Sequence, residues 1–495
     1  MKTMKKLIIL IVPLVLALTA CEDLQELNEN PNNVSETHPQ YLLTQAEWIA
    51  FQVEGADPLF ATRMIVQTDG EQAEQYYTWN RGEFEDYGKL RTVIKMIEES
   101  QRIENTTYEA LGKFFRAYYF YNLTLTFGDI PYSDALKGES EEIYAPAYDT
   151  QKEVFSGILQ ELAEADEMLT DDNSTISGDI IYDGNTLQWR KLINSFRLKV
   201  LLTLSNKTSD TDLNVESTFA NIYNNLPIME SLADNGHLEF IDEEGSRYTE
   251  FNNSNYGSAR YMDSTFIQKL QDREDPRLFI YCAQTKNAKE ANYDIDDFNA
   301  YEGGNPVAPY NDVNIKASEG DVSKVNLRYN TDPTNEPHML LGYPELQFIL
   351  AEAAVRGWIS DNPATFYENG VRASFEFYNT YAEDYAEYVT NDEATAYLQN
   401  NLVNFSNATD EEKQIEFIIL QKYLQSFMQA GWTMYFENLR TGYPGYITIG
   451  DVDPPARWMY PNSEYLENSE NVENAISSQF GTGNDDTHQI PWWLQ

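Results

Sequence analysis

Aromatic rings set among amides and acids are the residues in this sequence whose types and spacing suit a chemical task. The 495-residue chain has 34 Tyr, 24 Phe and 8 Trp, and three stretches gather them outside any helical period. Tyr76, Tyr77 and Trp79 adjoin Asn80 and Arg81. Tyr248, Phe251, Asn252, Asn253, Asn255, Tyr256 and Tyr261 form a second group, and Tyr293, Phe298, Tyr301, Asn305 and Tyr310 a third. An aromatic face covers the C–H-rich face of a sugar ring while Asn, Asp and Arg bond its hydroxyls. That division of labour belongs to a site with apolar walls and a few placed polar groups. The expected ligand-binding residues are Tyr76, Tyr77, Trp79, Asn80, Arg81, Tyr248, Asn255, Tyr256, Tyr261, Tyr293, Tyr301 and Tyr310. Taken singly, each tyrosine is better read as a buried ring with a wet hydroxyl. The expectation is that at least one cluster contributes to a ligand site.

Reactive chemistry has no comparable signature. The sequence has no G-x-S-x-G, no H-E-x-x-H, no P-loop and no dinucleotide fingerprint. Gly481-Thr482-Gly483 lacks a third glycine and a strand before it. Asp294, Asp296 and Asp297 hint at an oxygen-rich cation site, with structural calcium as the candidate ion. The EF-hand glycine and closing Glu are missing, so a solvated acidic loop is the plainer reading. No other cofactor is expected. Four histidines (His38, His237, His338, His488) never pair at helical spacing, which excludes zinc-type clusters. Asp and Glu number 80 against 34 Lys and Arg, a net charge of −46 that repels nucleic acid and anionic lipid. With so many acids, pairs at glycosidase spacing arise by chance, and none is singled out by an apolar setting. No catalytic residue is assigned.

The elements that must position these loops are helical. Tyr41, Leu42, Ala46, Ile49, Ala50 and Val53 make one apolar stripe, and Leu90, Val93, Ile94 and Ile97 another. Tyr108, Leu111, Phe114, Phe115, Tyr118, Tyr119 and Leu123 form the clearest helix, with Thr107 as its expected cap and Gly128-Asp129-Ile130-Pro131 as its end. Further helices are expected over 150–169, 187–204, 344–358, 363–381, 392–402 and 410–429. They fall in pairs joined by short polar breaks, as a stack of helical hairpins requires. Tyr108, Leu111, Gly112 and Phe115 match the opening spacing of a tetratricopeptide repeat, although the helix then runs on too long. Residues 205–342 differ: Asn, Asp, Gly, Pro and Tyr dominate, and one short helix is expected near 263–271. They read as long loops laid over the helical scaffold, where binding surfaces tend to lie.

The N-terminus carries its own signal. Lys2, Lys5 and Lys6 precede the apolar run Leu7 to Leu18, 12 residues long and too short to span a bilayer. Leu18-Thr19-Ala20-Cys21 follows and resembles a bacterial lipobox, which implies cleavage before Cys21 and its lipidation, palmitate among the acyl chains. Several chains on one cysteine hold firmly, at roughly 0.8 kcal/mol per buried methylene. Residues 22–36 are acidic and Asn-rich and read as a flexible tether, leaving 37–495 as a single domain with a loop-rich insert at about 205–342. With Cys21 lipidated, Cys282 stands alone, a buried apolar residue in context.

Five stretches together resemble one family. Helix 109–126 running into Phe127-Gly128-Asp129-Ile130-Pro131-Tyr132 is similar to the R-A-Y-Y-Y-F-N-L…Y-G-D-V-P block of SusD/RagB-type lipoproteins. Trp189 to Lys199 matches W-x-K-x-x-N-S-L-x-L-R, Asp275-Pro276-Arg277-Leu278 matches D-P-R-L, and Glu345 to Ala354 matches E-x-x-F-I-x-A-E-A. Gln421-Lys422-Tyr423, Glu437 to Pro444, Arg457 to Tyr465 and Trp492-Trp493 complete the resemblance, which spans essentially the whole mature chain. Leu439 stands where a second arginine is common, and Pro455-Ala456-Arg457 replaces an I-P-R-R-like run. The resemblance implies a mainly α fold with about four TPR-like hairpins and a loop-rich face for ligand. It also implies a surface-exposed, lipid-anchored outer-membrane protein without enzymatic activity. Such a protein caps a SusC-like TonB-dependent transporter and captures oligosaccharide or polysaccharide for import. Glu22, Asp23 and Glu26 look like the family's surface-export signal. The RagB branch offers peptide as the alternative ligand, and a surface glycan hydrolase is the more distant alternative.

Overall fold

The computed structural model describes residues 36–495 apart from 53–54, 171–175, 258 and 451. The expected signal peptide, the lipidated Cys21, the tether before Glu36 and Val53 of the first stripe lie outside the described residues. The longer helices are α1 (Pro39–Ala50), α2 (Glu85–Arg102), α3 (Thr106–Phe127), α4 (Gln151–Met168), α5 (Thr186–Thr203), α6 (Val215–Asn225), α7 (Ser264–Gln271), α8 (Tyr310–Glu319), α9 (Tyr343–Val355), α10 (Pro363–Tyr381), α11 (Glu411–Leu424), α12 (Thr433–Thr441) and α13 (Ser469–Phe480).

Local chemistry sets their ends. Asn105, in extended backbone, accepts from the N–H groups of Thr107 (3.1 Å) and Tyr108 (3.2 Å). It caps α3 in place of the expected Thr107, which lies inside the first turn. At α4, Thr150 and Glu153 form a reciprocal capping box. Asn185, Asn362 and Asp410 cap α5, α10 and α11. The expected 363–381 helix has those bounds, whereas that of 410–429 stops at Leu424 and that of 392–402 runs only Asn391–Tyr397.

Helices pack on their neighbours in sequence, α1 on α2, α2 on α3, α3 on α4, α4 on α5 and α9 on α10, and α9 packs on the more distant α11 as well. A three-residue link between α2 and α3 forces them back to back, as in a helical hairpin. Buried apolar side chains from Leu43 to Trp493 form one continuous core, so the C-terminal 3₁₀ turn Trp492–Leu494 closes on the early helices. Strand is confined, among the described residues, to two short antiparallel ribbons. The first pairs β1 (Ile65–Val66) with β3 (Tyr261–Met262), and the second pairs β2 (Gly236–Leu238) with β4 (His338–Leu341).

Residues 205–342 are more helical than their composition suggests. Alongside α7 they contain α6 and α8, whose apolar positions are too few to make a clear stripe: only Val215, Phe219 and Ile222 of α6 and Val313 of α8 are buried. The first ribbon stitches this region to the N-terminal helices, and the second ties it to the entry of α9.

The motif residues hold the scaffold together through buried charge. Arg277 meets Asp275 twice (2.9 and 2.6 Å) and donates to Ser374 and Gln421, with both charged residues fully buried. Lys199 and Lys422 flank Glu345 (3.1 and 3.3 Å), Lys422 reaches Glu437 (3.1 Å), and Arg440 bonds Glu437 and Glu352. Burial alone would raise the Glu437 carboxyl, but Arg440 and Lys422 outweigh it and hold the group at about 2.

Candidate functional site

An open cleft of about 360 Å³ lies between α7, the segment 301–308 and α8. It falls within the size range of small-molecule sites. Asp263 fixes one wall by capping α7, its Oδ1 accepting from the Thr265 N–H at 2.6 Å. Its own N–H donates to the carbonyl of Met64 (3.1 Å), so the first ribbon holds the start of α7 in place. Burial pushes the Asp263 carboxyl up to about 7. The segment 303–304 then runs beside this cap: Ser264 N–H donates to Gly304 O (2.8 Å), and Gly304 N–H to Met262 O (2.9 Å). Only glycines allow that approach. A Cβ on Gly303 would lie 2.3 Å from Ser264 N, and one on Gly304 would lie 2.5 Å from a Val313 methyl.

The far wall is α8, which presents Asp312, Val313 and Lys316. The neck between the walls is tied down from the first aromatic stretch. Tyr76 donates its hydroxyl to Ala308 O (2.9 Å), and Gln75 donates to Pro306 O (3.0 Å). Burial first, and Glu71 second, push the Tyr76 hydroxyl above its usual range. Lys316 is spent on Glu302, with which it makes an ion pair, and on Gly303 O (3.3 Å). Among the described residues the Ser264 hydroxyl and the Asn305 amide N–H meet no protein acceptor, while Asn305 Oδ1 accepts from Val307 N–H, so both side chains keep donors for a ligand. The lining combines Ile267, Val313 and Ala308 with hydroxyl, amide and acid groups, and this mixture suits a polar ligand with apolar faces.

The expected binding residues divide sharply here. Tyr301 lines the cleft but is buried, its hydroxyl donating to Ile295 O (2.7 Å) and its ring against Phe279. Tyr310 is half-buried at the first turn of α8, and Tyr76 braces the rim. Tyr293 is 46% exposed yet outside the cleft, at the end of a short turn near Ala288. The other aromatics are corrected by burial. Trp79 is stacked on Trp458 (5.0 Å between centroids) and edged by Trp432 and Tyr435. Tyr77 has Arg63 over its ring at 4.1 Å and donates to Ala61 O. Tyr248 packs edge-on to Phe240, and Tyr256 is 3% exposed. These rings have no free face for a sugar, so Tyr77, Trp79, Tyr248, Tyr256 and Tyr301 are core residues of their loops.

The polar residues among those expected fare differently. Arg81 is a pin, bonded to Asp485 (3.1 Å) and to the carbonyl of Tyr460. Asn80 and Asn255 are exposed but are not among the residues lining the cleft, and Tyr261 lies in β3 beneath Lys324. The polar cleft residues that sequence reasoning missed include Ser264, Gln268, Gln271, Glu302, Asp312 and Lys316. The available signal was Pro309 before and Gly320 after a helix with Asp312 and Lys316 four residues apart. As for the acidic loop, among the described residues no group of three or more His, Cys, Asp or Glu converges as metal ligands. Asp297 instead accepts from Asn299 N–H (2.9 Å), and the Asp294 carbonyl accepts from Gln284.

A larger cavity of about 400 Å³ lies between α3, α5 and the chain leading into α12, lined in part by Lys199, Glu345, Trp432 and Arg440. Its deep charges neutralise one another within the scaffold network, so it offers a ligand less than the loop-side cleft does.

Residues 31–461 match the profile of SusD-like proteins, described as starch-binding and associating with the outer membrane. The chain belongs to the SusD-like family. Members are nutrient-binding proteins of the outer membrane, not enzymes. A SusD homologue from Bacteroides fragilis shares 55% identity with a TM-score of 0.89 over 93% of this chain and 100% of its own. A Bacteroides vulgatus protein, provisionally assigned to nutrient binding at the outer membrane, shares 50% identity with a TM-score of 0.90 at the same coverage. A second B. fragilis SusD homologue shares 32% identity with a TM-score of 0.86, again over 93% and 100% of the two chains. No curated protein sequence matches the chain. The SusD-like fold expected from the sequence is thus the observed one, mainly helical with no barrel and no large sheet among the described residues.

Proposed function

We propose that this SusD-like protein captures oligosaccharide or polysaccharide at the cell surface and passes it to a SusC-like TonB-dependent transporter. It is held there by acyl chains on Cys21. The observation that carries the reading is the cleft between α7 and α8, whose donors and apolar wall suit a hydroxyl-rich ligand. Glycoside hydrolysis needs two working carboxyl groups. In the cleft Lys316 occupies Glu302 and leaves Asp312 alone, which favours binding over cleavage. A glycan array with the purified mature chain tests the first half of the reading: at least one neutral polysaccharide class is retained and no labelled product is released. Co-purification of a TonB-dependent transporter from outer membranes tests the second. Shortening residues 22–36 impairs uptake while leaving affinity in solution unchanged. An array without glycan hits, together with peptide found by mass spectrometry on the purified protein, would shift the ligand class to peptide.

A further inference from the structure

Read as a glycan site, the same cleft also carries information about the charge of its ligand, and the inference rests on that reading. Asp312 sits in the first turn of α8, where the helix N-terminus favours a negative side chain, and no protein cation pairs with it among the described residues. The one cation of the lining, Lys316, already has Glu302 for a partner and is committed to the 303 carbonyl as well. The cleft therefore presents a net negative wall, and it opens on a protein of net charge −46. Like charges in a concave surface are felt over several ångströms of water and are not screened away at contact distance.

We infer that the cleft excludes acidic glycans (uronates and sulfated sugars) and takes neutral or amine-bearing ones, with Asp312 as the residue that sets the preference. A neutral sugar loses nothing to the wall, and an amine gains an ion pair with the Asp312 carboxylate. A pair of this exposed kind is worth about two- to fivefold in affinity.

The test uses the mature chain and backbone-matched probes: malto-, cello- and manno-hexaose, each as the neutral sugar, the 6-amino-6-deoxy form and the C6 carboxylate. A broad neutral-glycan array runs beside them. Calorimetry at about 20 mM and about 200 mM salt brackets the screening length. For each backbone that binds, the amine form binds about two- to fivefold tighter than the neutral sugar and the carboxylate at least as much weaker, with both gaps narrowing at high salt. Asp312→Asn removes the amine gain, so that the ratio of amine to neutral affinity falls to about one. Carboxylate forms that bind as well as neutral ones overturn the inference while leaving the glycan reading intact, as does an Asp312→Asn variant that keeps the amine preference. Absence of any binding, on the array and the matched set alike, overturns the glycan reading and this inference with it.

Discussion

At the residue scale, two buried side chains make the division between scaffold and cleft measurable. Asp263 caps α7 with one oxygen while its other oxygen has no partner, and burial lifts its carboxyl to about 7. A folded-state value above the unfolded one means the native state holds the proton over the interval between them. The stability this contributes is full below the ordinary carboxylate range and lost as pH rises through about 7. Asp263→Asn keeps the acceptor for Thr265, so relative to wild type it gains melting temperature at pH 8 and gains little or none near pH 4. A constant difference across that range would show that Asp263 does not titrate in the fold. Trp79 supplies the contrast. Enclosed by Trp458, Trp432 and Tyr435, it is a packing residue, and Trp79→Ala costs about 3–5 kcal/mol of stability by denaturant unfolding. Loss of glycan affinity in a Trp79→Ala variant of unchanged stability would instead restore Trp79 as a ligand platform.

At the scale of elements, periodicity explains why most helices were legible, whereas the one cap expected from sequence, Thr107, gave way to Asn105. The stripe of α3 and the capping box at Thr150 are strong local signals that tertiary structure did not need to override. The loop-rich region was less so, because α8 buries only Val313 and leans on neighbours instead of on a stripe of its own. The aromatic clusters misled for a related reason. A long segment outside the helices must still be anchored to the continuous core, and Tyr248, Tyr256 and Tyr301 are spent on that. What joins α9, α11 and α12 is the charge network, and here removal of one member leaves others buried without compensation. Arg440→Met unpairs Glu352 and Glu437 in part and lowers stability by about 3 kcal/mol or more, read from the urea midpoint. A midpoint within experimental error of wild type would mean that packing, not charge, fixes α12.

At the scale of the whole molecule, the family motifs and the cleft fall on different parts of the structure. Arg277, Glu352 and Arg440 lie in the interior, where they set how helices meet. Ser264, Asn305 and Asp312 lie outside the motifs and line the loop-side cleft, and the motifs reach it only from behind, where Asp275 N–H donates to Leu270 O of α7 (2.9 Å) and Tyr423 packs on Phe266. Fold was therefore readable from sequence, whereas the site depended on contacts between residues far apart in the chain, such as Tyr76 with Ala308. The most direct measurement is calorimetric titration of the strongest array glycan into wild type and into a Ser264→Ala, Asn305→Ala double variant. Losing two hydrogen bonds of about 1 kcal/mol each predicts a roughly 30-fold weaker complex at an unchanged melting temperature. Wild-type affinity in a folded double variant would contradict the assignment of the cleft as the glycan site.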